Sequence, residues 1–130
     1  MRPFHRNLSE EGGASSAEFA LMTVPFIALV LGIIGLTMTL WANQTLQYAT
    51  EAAARYYSVQ TANSGSVPTT AQLRAYANGV YEGPNISPTF TPARGGCGIN
   101  GYQVTGSGTF PLNAGIFSIS VPLTAHACFP

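Results

Sequence analysis

Hydrophobic residues are unevenly spread along this chain. From Phe19 to Trp41 it reads FALMTVPFIALVLGIIGLTMTLW, 23 residues without a charged side chain. At about 1.5 Å per residue, a helix of this length reaches roughly 34 Å, enough to cross a hydrocarbon core of about 30 Å with some tilt. A secretory signal peptide is the alternative, but its apolar region runs only about 7–15 residues and closes on a small-x-small site. Leu40-Trp41-Ala42 fits that rule badly. Beyond Trp41 the continuous run gives way to a helical period. No Gly or Pro occurs from Trp41 to Ala62, and Leu46, Ala49, Ala53 and Tyr56 or Tyr57 fall on one stripe, with Glu51 and Arg55 spaced as an i, i+4 pair. Unbroken from about Ser15 to Ala62, such a helix would be roughly 70 Å long. Trp41 lies where interfacial aromatics are favoured, whereas Tyr48, Tyr56 and Tyr57 are better explained by packing against an outer domain.

The second half alternates with a different period. Asn63-Ser64-Gly65-Ser66-Val67-Pro68 reads as a loop, and Thr69 or Thr70 then caps a short helix over 70–78, stopped by Gly79. From Gly83 the texture is that of strands between Gly and Pro breaks: Asn85–Thr91, Gly101–Leu112 and Ile116–Ala127. Phe110, Phe117, Ile119 and Val121 are expected to supply the face that lies on the outer half of the long helix. The predicted class is α+β: a long N-terminal transmembrane and amphipathic helix packed against a small antiparallel β-sheet head, in the outline of a lollipop. A sheet this small is marginal alone, so most of its stabilisation must come from the helix.

Composition narrows the function. Charged residues are 8% of the 130, five Arg against five Glu, with no Lys, no Asp and zero formal net charge; the mean hydropathy is +0.20. A grip on nucleic acid needs a basic surplus that this chain lacks. Arg2 and Arg6 precede the apolar run and the next Arg is Arg55, so the positive-inside rule places the amino terminus in the cytoplasm and the head outside. Catalysis finds little support: no P-loop, no nucleophile elbow and no spaced pair of carboxylates, so no small-molecule substrate and no cofactor is expected. Cys97 and Cys128 read as a disulfide in a head outside the cytoplasm. The competing metal site of Cys97, His126 and Cys128 lacks a fourth ligand and the C-x-x-C spacing, so no metal is expected and His126 reads as a surface strand residue.

The entrance to the apolar run is more specific than the run itself. Residues 10–20 are EEGGASSAEFA. A carboxylate at Glu18 is expensive to bury in a bilayer, so it stays at headgroup level or meets a partner. Cutting after Gly13 would create an α-amino group on Ala14, about one helical turn from Glu18. When such helices pack side by side, the carboxylate of one can pair with the ammonium of its neighbour.

Gly13 followed by ASSAEFALMTVPF and a long apolar run resembles the class III signal of type IV pilin-like proteins. The Glu18-Phe19 dipeptide and Pro25, six residues after Phe19, make it most similar to TadE-type minor pilins or pseudopilins of the bacterial tight-adherence pilus. The resemblance implies a leader of residues 1–13 cut between Gly13 and Ala14 by a prepilin peptidase, a transmembrane and assembly helix over 14–41, and an extracytoplasmic head over 42–130. It implies assembly through Glu18, Phe19 and Pro25, the last also expected to kink or loosen the helix near 21–25. Ala28, Gly32 and Gly35, with Thr39, give small-xxx-small spacings for close helix approach. The implied partners are the peptidase, other pilin or pseudopilin subunits, the assembly platform and the bacterial inner membrane. Glu10 and Glu11 depart from the basic leader by offsetting Arg2 and Arg6, and a mature chain far longer than the very short major pilins implies a minor subunit. The rival is an uncut, single-span tethered module whose head binds a surface.

Overall fold

The computed structural model describes residues 11–98, 101–113 and 118–130. Helices and strands follow the expected order: α1 (Glu11–Ser64), α2 (Thr70–Val80), β1 (Thr89–Arg94), β2 (Tyr102–Asn113) and β3 (Ser118–Phe129). The chain divides into two compact units, Met1–Gly35 and Leu36–Pro130.

The described part of the first unit is helix, and its apolar side chains face outward. Phe19, Leu21, Met22 and Val24 are each more than two-thirds exposed, and the most apolar stretch of α1 has none of its residues buried. Among the described residues none covers these side chains, and by length and composition the helix is able to cross a membrane. The helix runs on through Pro25 without a break. Loosening expected at 21–25 therefore stops short of unwinding, as transmembrane helices tolerate one missing donor.

The second unit is built on the stripe that the helical period marks. Leu46, Ala49, Ala53 and Tyr57 are buried, joined by Ala42, Thr50 and Ala54. They pack on a three-stranded antiparallel sheet of order β1-β2-β3, whose inward positions include Phe90, Val104, Leu123, Ala125 and Ala127. Small residues on both surfaces bring helix and sheet close. The limit is Gly106: a Cβ built there would collide with the Thr50 hydroxyl and come within 3.3 Å of Leu46 and Phe90. Thr50 meets its burial by donating to the Leu46 carbonyl at 2.7 Å.

The ends of the helices follow local chemistry. Gly65, at φ +64, takes the left-handed conformation past the end of α1, and its N–H returns to the Thr61 carbonyl at 3.0 Å. Thr69 caps α2 in a reciprocal box with Gln72. Gly79 does not stop α2, which continues to Val80 and ends where Tyr81 turns extended. Strand β1 starts at Thr89, later than Asn85, because the Asn85 side chain accepts the Ser87 N–H at 3.3 Å and Ser87 sits at φ 50.

Three other expectations are corrected. Ile119 has the inward parity, yet it is 62% exposed, because its pairing with Leu112 lies near the hairpin end of the ladder, six positions beyond the Gly106 contact. Phe110 and Val121 do pack on the core, and Phe117 lies outside the described residues. Tyr48 is 66% exposed and packs on no outer layer. Glu51 and Arg55 form no ion pair among the described residues; the Glu51 carboxylate instead accepts Gln47 Nε2 at 2.9 Å.

Both sheet edges are blocked by proline. The carbonyls of His126 and Pro130 accept Gln47 and Ser58, and the carbonyl of Phe90 accepts Arg74, so even-numbered positions of β3 and β1 face away from the ladder. Pro122 and Pro92 occupy such positions, and neither interrupts the pairing with β2. Proline there withholds a donor from any incoming strand. Pro122→Thr should leave the fold intact within about 0.5 kcal/mol but raise self-association of the detergent-solubilised chain. Light scattering after gel filtration reads this, and an unchanged mass distribution would remove the blocking role.

Candidate functional site

Chemistry-bearing residues gather in two places, the start of α1 and one flank of the head. At the start of α1, Gly13 is exposed and a Cβ on it would meet nothing within 4 Å. Ala14 is helical, and its side chain lies outside the described part. Glu18 and Phe19 follow on the exposed helix, with Thr23 donating to the Phe19 carbonyl at 2.7 Å. Among the described residues Glu18 has no protein partner. Pro25, Ala28 and Gly32 are exposed and Gly35 is half-buried; a Cβ on Gly32 would meet nothing within 4 Å. This segment carries a carboxylate, a phenyl ring and an apolar surface that is exposed among the described residues.

The flank of the head is an open groove of about 770 Å³ between α1, Tyr76 in the middle of α2 and the edge of β3. Gln47 spans its floor, donating to Glu51 Oε1 at 2.9 Å and to the His126 carbonyl at 3.3 Å. Tyr56 stacks on Tyr76 with ring centres 4.4 Å apart, which joins α1 to α2. His126 is exposed and pairs through Nδ1 with the Thr105 hydroxyl at 3.1 Å. These contacts hold elements together and line up no nucleophile with a base. The Tyr56–Tyr76 stack escapes a reading of the sequence, since nothing in two separate helical stripes says that they meet. Across the head, burial raises the Tyr81 phenol above its usual range and a hydrogen bond with Thr45 lowers it in part.

Cys97 and Cys128 are bridged, with Cα atoms 5.7 Å apart and a sequence separation of 31. Both sulfurs are thereby taken, and neither can serve as a metal ligand. The bridge ties a glycine turn to the last strand, where the Ser58 hydroxyl also holds the Pro130 carbonyl at 2.9 Å. In the chain-entropy picture this closure contributes roughly 3–4 kcal/mol. Reduction should lower the unfolding temperature of the head, and free thiols at both positions in the natively exported protein would refute the bridge.

Residues 13–55 match the family model of TadE-like proteins. Over that N-terminal region, about a third of the chain, it is similar to TadE-like proteins. The matched TadE-like segment opens at Gly13 and covers Glu18, Phe19, Pro25, the uncharged run and the first buried turns of the head. Neither the curated proteins nor the solved structures compared with the chain give a match. Beyond residue 55 the fold rests on its own physics: helix, sheet and one disulfide.

Proposed function

We propose that this protein is a pilin-like structural subunit associated with a tight-adherence pilus, a building block and not a catalyst. It is inserted in the bacterial inner membrane with its amino terminus inside and cut after Gly13 by a prepilin peptidase. It is then drawn into or beneath the pilus by packing of its N-terminal helix. The observation that carries this reading is a TadE-like segment that opens at Gly13 and runs into an exposed, uncharged helix. The chemistry supports it step by step. A new ammonium on Ala14 and the Glu18 carboxylate are about one turn apart, so neighbouring parallel helices can exchange the pair where each charge alone would be costly. Phe19, Ala28, Gly32 and Gly35 offer the close apolar approach that helix association in lipid requires. The partners are the peptidase, sister pilin subunits and the assembly platform, and the head stands on the far side of the membrane, where its disulfide is stable.

The deciding experiment is the intact mass and amino-terminal sequence of the membrane-extracted protein, from cells with and without a prepilin peptidase. A peptidase-dependent start at Ala14 is expected. A start at Met1 or Arg2 in both strains would leave an uncut tethered module, and a start beyond Trp41 would mean an ordinary secreted domain.

A further inference from the structure

After Arg94 the chain carries no Asp, Glu, Lys or Arg as far as Pro130, so the β2–β3 hairpin is uncharged throughout. Its contacts fix its level along the helix of the same unit. Tyr57 meets Tyr102 edge to face, and four strand residues later Gly106 lies against Leu46 and Thr50. About 13 Å of strand is thus matched by a similar length of helix, so the two run nearly side by side. β3 keeps the same sense, with Pro130 at Ser58 and His126 at Gln47. The ladder continues past Gly106 for six positions to the pair Leu112 and Ile119, roughly 20 Å further on and level with about Leu36. That level is inside the apolar run that ends at Trp41.

We propose that the hairpin end, at Leu112 and Ile119, rests in the interface of the bilayer that α1 enters, giving the head a second lipid contact. The proposal rests on reading α1 as a membrane span. Leu36, Leu40 and Trp41 of the helix are exposed near this level, and a membrane that covers these side chains reaches the hairpin at a similar height. Its composition fits an interface: an exposed Ile119, a half-buried Leu112, hydroxyls on Ser118 and Ser120 for headgroups, and no charge to desolvate. A soluble partner would find the same end shielded by lipid.

Trp41 is the single tryptophan, which makes the test direct. The full chain is placed in phosphatidylcholine–phosphatidylglycerol vesicles with and without brominated acyl chains, and indole emission is compared. Wild type reports on Trp41; Trp41→Phe combined with Ile119→Trp reports on the hairpin end; Trp41→Phe with Thr91→Trp reports on the exposed sheet face away from it. Bromination should quench the indole at position 119 to within about twofold of Trp41, because both sit at interfacial depth, and leave the one at position 91 bright. Ser118→Trp in the same background repeats the reading should Ile119→Trp fold poorly. Quenching at Trp41 with none at 119 or 118 overturns the proposal while leaving the anchor in place. An unquenched Trp41 overturns the anchor itself, and the lipid contact with it.

Discussion

Gly13→Ala is expected to accumulate at full length, with its amino-terminal extension still attached, while inserting in the membrane as wild type does. The substitution leaves the fold undisturbed. A methyl group at 13 meets nothing within 4 Å, and in a helix Ala is favoured over Gly by about 1 kcal/mol. The helix therefore gains slightly, and a processing defect cannot be attributed to misfolding. A peptidase that reads the glycine must draw the backbone close, and a Cβ is what such an approach excludes. Glu18→Ala separates the next step. The carboxylate is exposed and has no protein partner among the described residues, so cleavage and insertion should persist while incorporation into pili falls. Mass spectrometry of the membrane fraction and immunoblots of sheared fibres read the two steps separately. Normal maturation of Gly13→Ala would count heavily against the proposed route, and wild-type incorporation of Glu18→Ala would remove that residue from assembly.

Features written in one repeating period are legible in the sequence. Leu46, Ala49, Ala53 and Tyr57 lie on the buried stripe because helical periodicity and burial express the same geometry. The cysteine pair and the three strands are legible for equally local reasons, and the sequence narrows the cap of α2 to Thr69 or Thr70, of which the structure uses Thr69. What escapes depends on where one element stops relative to another. Ile119 has the right parity and the wrong height, so alternation alone assigns it to the core while the structure leaves it exposed. Glu51 has the spacing for Arg55, but Gln47 takes its carboxylate and ties the helix to the edge of β3. Ser87 delays β1 through one side-chain turn that no hydrophobic pattern records. At the start of α1 the motif is legible because its chemistry is concentrated in consecutive residues, and the TadE-like match covers the same stretch.

Gly106→Ala is expected to destabilise the head by about 1–3 kcal/mol, the usual cost of overpacking a core. The same change at Gly79 should be neutral or slightly stabilising. Gly79 sits in the last turn of α2, where a Cβ meets nothing within 4 Å, so only the helix preference of about 1 kcal/mol acts, and it favours Ala. At Gly106 the new methyl collides with the Thr50 hydroxyl and crowds Leu46 and Phe90, three of the most deeply buried side chains in the protein. Thr50 cannot simply rotate away, because its hydroxyl would then leave the Leu46 carbonyl and stand unpaired in the core. The remaining escape is for β2 to lift from α1, which loosens the packing of the sheet on the long helix. For a unit of this size the loss lowers the melting temperature by about 4–20 °C. Near-UV circular dichroism of the full chain in detergent follows it through the Tyr57–Tyr102 pair. Removing the obstacle supplies the internal check: Thr50→Ala should recover much of what Gly106→Ala loses, since the two side chains claim the same space. Strictly additive losses in the double variant would mean that Gly106 is needed for some reason other than the approach of strand to helix.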